Sequence, residues 1–122
     1  MMRPPRLQDC QVTVMGLGLM GASLAGALRG RCRAVAGVAR RAEAIQAALG
    51  RGLVDRGTAD LAQGLADADV VILATPVRVI QRQLAEIGPL LPEGCLVMDL
   101  GSTKAGIVAA MEGLPAHVQP LG

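Results

Sequence analysis

Phenylalanine, tryptophan and tyrosine are absent from this chain of 122 residues, histidine occurs once and cysteine three times. Each scarcity excludes something. Without aromatic rings there is no platform for stacking the bases of a single strand, and a formal charge of +2 is too small to draw in a phosphate backbone, so no nucleic-acid partner is expected. Cys10, Cys32 and Cys95 are odd in number and too scattered for a metal site; they read as reduced thiols packed inside a cytoplasmic protein. His117, the one histidine, stands before a candidate final strand at 118–121 and reads as a solvent-facing side chain. Long charge-free runs are also scarce. The opening MMRPPR and the uncharged stretch 11–28, with Ala25-Gly26-Ala27 near its end, have the outline of a targeting segment. Glycines break that run, however, it is short of the ~20 residues of a membrane span, and cleavage would remove a strand. No membrane association is expected.

What is present is a globular composition, 52% hydrophobic and 18% charged, long enough for one domain around one core. That core must be built from Ala, Val, Leu, Ile and Met, and such small side chains suit helices lying close against a sheet. Residues 1–9, with two prolines and two arginines, read as an exposed lead-in, and 10–122 as the domain.

The chain is organised around 11–28, QVTVMGLGLMGASLAGAL. Val12, Val14 and Met15 form a short apolar run suited to a parallel strand covered on both faces. Gly16, Gly18 and Gly21 follow with the spacing G-x-G-x-x-G. In a dinucleotide site the first glycine permits the tight turn, the second lets the backbone approach a pyrophosphate, and the third lets the helix pack against the strand. A helix over 19–28 then aims its free N–H groups at that pyrophosphate.

Further on, Arg29-Gly30-Arg31 stops the helix, 34–38 (AVAGV) is a second strand, and 42–49 is an amphipathic helix with Ile45, Ala48 and Leu49 on its apolar face. In the passage 53–68 the spacing predicts a short strand at Val54-Asp55 and a short helix over 60–65 with Leu61 and Leu65 inward; no function is expected there. Asp67 and Asp69 read as caps and turn residues. Residues 70–74 (VVILA) are a buried strand that Thr75-Pro76 ends, since proline cannot continue a central ladder. Val77, Ile80, Leu84, Ile87 and Leu91 give a core stripe on a helix over 77–91. A strand over 96–98, the turn DLGSTK at 99–104 and a helix over 103–112 complete the pattern. Ser102 or Thr103 suits an N-cap, and Lys104 sets a cation in a first helical turn. Strand-turn-helix recurring in this way predicts an α/β fold with a doubly wound, mostly parallel sheet, of the Rossmann dinucleotide-binding type.

The end of the second strand is where such a site declares its cofactor, because an acidic residue there bonds the ribose 2′-hydroxyl of NAD. Arg40 and Arg41 stand there instead. An arginine at that place holds the 2′-phosphate of NADP, and Arg40, nearer the strand end, is the better placed.

Taken together, VMGLGLMGASLAGAL, VVILATPV and VMDLGSTK resemble the cofactor-binding part of the prephenate and arogenate dehydrogenases, oxidoreductases of tyrosine biosynthesis. The resemblance covers 10–122. It implies that Gly16, Gly18, Leu19, Met20 and Gly21 hold the pyrophosphate, that Thr75 and Pro76 lie along the cofactor, and that Ser102 sits beside the nicotinamide and supports the catalytic histidine. Family members with G-V-S-R after the second strand tend to use NADP. Gly37-Val38-Ala39-Arg40 is similar, with Ala39 in place of the serine and one phosphate hydrogen bond fewer. NADP is therefore the expected cofactor, with NAD as the alternative. The family's histidine lies in a G-G-H-P motif after the final strand, and its helical second domain completes the pocket for prephenate or arogenate and forms a homodimer. Neither matches residues here. The chain ends in Pro120-Leu121-Gly122, and the resemblance implies that the catalytic base lies beyond Gly122. The chain is thus expected to be a fragment that binds cofactor without turnover. Two other readings stand beside this one: the cofactor domain of a β-hydroxyacid or imine-type dehydrogenase, and a stand-alone nucleotide-sensing regulatory domain.

Overall fold

A computed structural model describes residues 7–75, 77–99 and 119–120. Pro76, Ser102, Thr103, Lys104, His117 and the expected helix over 103–112 lie outside the described residues, as does most of the lead-in. Gly122, beyond which the catalytic base is expected, lies outside them too.

Apolar segments become strands β1 (Gln11–Met15), β2 (Ala34–Val38), β4 (Val70–Leu73) and β5 (Leu96–Asp99), the short polar β3 (Arg56–Thr58) lies between β2 and β4 in the chain, and a short β6 (Gln119–Pro120) follows. Between the first five run helices α1 (Leu19–Leu28), α2 (Ala42–Gly50), α3 (Leu61–Leu65) and α4 (Val77–Ile87). All strand pairs are parallel, in the order β3-β2-β1-β4-β5-β6. The order of winding therefore reverses between β1 and β4.

Every residue of β1 is buried, because the sheet is covered on both faces. Alternation assigns the side chains. Val12 and Val14, in register with Val70 and Ile72, pack with Ala25 of α1 and Ile45 and Ala48 of α2. Met15, Val71, Leu73 and Val97 face the other way, against Leu65 of α3 and Leu84 and Ile87 of α4. Thr13 shares this second face; its buried hydroxyl donates to the Gly64 carbonyl at 2.7 Å, which answers for a polar atom in the core.

The structure corrects the sequence reading in four places. Leu49 is exposed, because Ile45 and Ala48 already cover the sheet and the next residue turns about 100° away from it. The third strand begins at Arg56 rather than Val54, because the Asp55 carboxylate is engaged: its Oδ2 accepts from the Val35 N–H at 2.8 Å and its Oδ1 from Arg29 at 2.8 Å. Asp69 likewise does more than turn the chain, accepting the Gln11 N–H at 2.8 Å and pairing with Arg33 at 3.5 Å. Finally, α4 stops at Ile87 and passes into a 3-10 turn, Gly88–Leu90, since Pro89 cannot sit inside an α-helix; Leu91 is still buried beyond it.

None of the three cysteines is in a disulfide; Cys10 and Cys95 are buried and Cys32 half-buried. Burial, and after it the charge of Asp69, pushes the Cys95 thiol up from 9.0 to about 11. Below the lower value the thiol is protonated in both folded and unfolded chains; above it the unfolded chain ionises first, so native stability falls as pH rises from 9 toward about 11. Urea unfolding across that interval should show a shallower loss for Cys95→Ala than for the parent, and an identical loss in both would contradict the assignment.

Candidate functional site

Three strand ends converge where the winding reverses, and short hydrogen bonds tie them together. The Gly16 N–H donates to the Val38 carbonyl at 2.8 Å, joining the turn after β1 to the end of β2, and the Ala74 N–H donates to Met15 at 2.8 Å from the end of β4. Gly16 has φ +96°, a conformation that favours glycine, and a Cβ there would also lie 2.6 Å from the Thr75 methyl. Leu17 turns inward beneath α1 and packs against Gly37, where a Cβ would meet it at 2.8 Å.

The other two glycines of the motif are needed for different reasons. At Gly21 a Cβ would collide with the Gly16 carbonyl oxygen, so the first turn of α1 rests directly on the turn after β1. At Gly18 a Cβ would meet nothing within 4 Å. Among the described residues no neighbour demands glycine at 18; the space it leaves open belongs to the cleft it lines. Gly18 is also the N-cap of α1, with no side-chain cap and no acidic residue in the first turn. The first N–H groups of a ten-residue helix are thus left without a capping side chain, and no acid in the first turn offsets the positive dipole end.

This cleft, about 580 Å³, opens over the carboxyl ends of the strands. Met15, Gly16, Leu17 and Gly18 form its floor; Ala39, Arg40, Arg41 and Ala44 rise on the β2 side; Thr75, Val79, Gln83 and Glu86 face them from the β4 side; Ala59 and Leu61 close the β3 end. Arg40 and Arg41 are exposed, and among the described residues neither side chain has a hydrogen bond or ion pair. Arg41 is the N-cap of α2, where a cation opposes the dipole; Glu43 in the first turn offsets part of that conflict. Thr75 is held by its hydroxyl, which donates to Gln83 Oε1 at 2.6 Å.

Of the residues singled out from sequence, Gly16, Gly18, Arg40, Arg41 and Thr75 line this one cleft, and Gly21 is buried just beneath it. Leu19 and Met20 project from the first turn of α1, 89% and 63% exposed, and are not part of the cleft wall. Pro76 and Ser102 lie outside the described residues, and so does Gly122, the residue after which the base is expected. Sequence reasoning missed Ala59 and Leu61, which belong to the passage expected to carry no function, and it missed Val79, Gln83 and Glu86. The last three had a signal: they stand at i, i+4, i+7, a second stripe on α4 beside its core stripe.

Among the described residues no cluster of side chains could hold a metal ion, and no helix is long and apolar enough to cross a membrane. The arrangement is fitted to an elongated anion. A glycine-lined helix N-terminus meets the phosphate requirement, and two arginines without a side-chain partner among the described residues stand at the neighbouring strand end.

Comparison with known proteins agrees with this geometry. Residues 24–119 match the family described as prephenate dehydrogenase, nucleotide-binding domain. The cyclohexadienyl dehydrogenase of Zymomonas mobilis is 30% identical over 110 residues, which cover 88% of this chain and 38% of that protein. Among solved structures, prephenate dehydrogenase from A. aeolicus in complex with hydroxyphenyl propionate and NAD+ superposes with a TM-score of 0.82 at 29% identity, covering 95% of this chain and 42% of the other. Synechocystis arogenate dehydrogenase gives 0.83 at 35% identity, with 90% and 39% covered. The chain spans about a third of the length of the curated relatives it matches. Since the matched region runs from within α1 to β6, across the parallel sheet just described, this chain belongs to the prephenate dehydrogenase family as its nucleotide-binding domain.

Proposed function

We propose that residues 10–122 are the NADP-binding domain of a prephenate or arogenate dehydrogenase, preceded by an exposed lead-in at 1–9, acting in the cytoplasm as part of a homodimer formed through the family's helical domain. The observation that carries the cofactor assignment is the pair Arg40 and Arg41, unpaired among the described residues, at the end of β2 beside a glycine turn. NAD is the alternative cofactor, and the A. aeolicus relative was solved with NAD+. The preference for a 2′-phosphate rests on Arg40.

In this reading the backbone N–H groups at the start of α1, over Gly16, Gly18, Leu19, Met20 and Gly21, bind the diphosphate through the space Gly18 leaves free. Arg40 holds the 2′-phosphate with a charge-assisted bond, and Arg41 adds positive charge beside it. Thr75, fixed by Gln83, and Pro76 run along the cofactor, and Ser102 lies beside the nicotinamide, where it supports the family's proton-accepting histidine. The cofactor supplies a hydride acceptor for oxidative decarboxylation of prephenate or arogenate. Turnover is proposed of the longer family protein, and cofactor binding of this chain.

Two sets of variants test the reading. Arg40→Ala should weaken NADPH more than NADH by about 1–3 kcal/mol, the scale of a lost charge-assisted hydrogen bond, as read by titration of nicotinamide fluorescence; an equal loss for both would contradict the phosphate assignment. Gly18→Ala should change thermal stability by less than about 1 kcal/mol while weakening both dinucleotides, whereas Gly21→Ala should cost about 1–3 kcal/mol in stability by overpacking against Gly16. Undiminished binding by Gly18→Ala would remove the diphosphate assignment.

A further inference from the structure

α4 carries two stripes, and its tertiary packing explains only one. Leu84 and Ile87, with Leu91 beyond the helix end, are buried in the core against β4 and β5. Val79, Gln83 and Glu86 face the cleft instead. A helix needs no polar residues there for stability, and Glu86 has no hydrogen bond or ion pair among the described residues.

Gln83 is committed in one direction. The Thr75 hydroxyl donates to its Oε1, which engages the amide's acceptor and leaves two N–H donors available. Glu86, one helical turn further along, offers acceptors only. The wall therefore presents a donor followed by an acceptor. Around it the lining is apolar and small, from Ala39, Ala44, Ala59 and Leu61, which is the lining a flat ring requires. Arg40 and Arg41 add guanidinium planes able to stack on such a ring.

Position along the cleft identifies the ring. With the diphosphate at Gly18 and the adjoining ribose at the end of β2, the next group outward on that half of a dinucleotide is its base. We propose that Gln83 and Glu86 read this base, selecting a 6-amino purine over a 6-oxo purine. This inference rests on the dinucleotide reading above and adds to it a recognition role for α4. A 6-amino purine presents an exocyclic N–H donor beside a ring-nitrogen acceptor: Glu86 accepts from the amino group and Gln83 donates to the ring nitrogen. A 6-oxo purine reverses both groups. Its carbonyl oxygen then faces the Glu86 carboxylate, and its ring N–H faces the donor of Gln83, so both contacts turn repulsive.

The test is a pair of titrations, with NADPH and with its hypoxanthine analogue, in which a 6-oxo group replaces the 6-amino group and the fluorescent nicotinamide is unchanged. The parent chain should bind NADPH about tenfold or more tightly than the analogue. Glu86→Gln should lower that ratio severalfold, because its amide can donate to the 6-oxo group while the clash at Gln83 remains; Glu86 is exposed and has no hydrogen bond or ion pair among the described residues, and circular dichroism checks the fold. Equal affinities in the parent, or an unchanged ratio in Glu86→Gln, would overturn the base-reading role and leave the dinucleotide site standing. Binding of neither compound by the parent would overturn the dinucleotide reading and this inference with it.

Discussion

The contact of Gly21 with the Gly16 carbonyl is the constraint on which the site depends. A helix can stand that close to a strand end only where no side chain intervenes, and the glycine allows α1 to begin immediately above the point where the winding of the sheet reverses. From it the neighbouring geometry follows. Gly16 reaches the end of β2 through its N–H, and Thr75 at the end of β4 packs its methyl over the same residue. The ends of three strands and the start of one helix are thereby gathered around a space that Gly18 leaves unfilled. In open α/β sheets this is where ligands bind.

The two edges of the sheet use charge differently. At the amino edge, Asp55 and Asp69 each accept a strand N–H and each pair with an arginine, Arg29 or Arg33, while Arg56 stands near Asp67. These pairs are partly exposed and each contributes little alone; Asp69 and Asp55 satisfy backbone donors at the start of β1 and β2, Gln11 and Val35, and so help fix where the ladders begin. At the carboxyl edge Arg40 and Arg41 have no such partner among the described residues, and the N-terminus of α1 has no acidic neighbour in its first turn. The same residue types thus serve structure at one edge and are left available for an anion at the other.

Much of this was legible in the sequence because its signals are local. The bounds of β1, α1 and β2 follow from an apolar run, a glycine spacing and a glycine stop, all within 40 residues of the start. Gly16, Gly18 and Arg40 were legible for the same reason, since their places are set by the strand ends beside them. What escaped the reading depends on distant partners. Asp69 meets Gln11 across 58 positions and Asp55 meets Val35 across 20, so neither carboxylate shows in sequence that it will anchor a strand. Leu49 looked inward by periodicity until the sheet was seen to be covered already by Ile45 and Ala48. Ala59 and Leu61 join the site only because β3 ends up beside β2, which no local pattern announces, and the second stripe of α4 that carries Gln83 and Glu86 gains its meaning only when α4 faces the end of β2 across the cleft.

The most direct measurement is the perturbation of backbone amide shifts in the isotope-labelled chain as NADPH is added. The account predicts the largest changes at Gly16, Gly18, Leu19, Met20 and Gly21, where helix N–H groups meet the diphosphate, with further changes at Arg40, Arg41 and Thr75. Changes confined to other surfaces, or an unperturbed glycine turn at saturating NADPH, would contradict it.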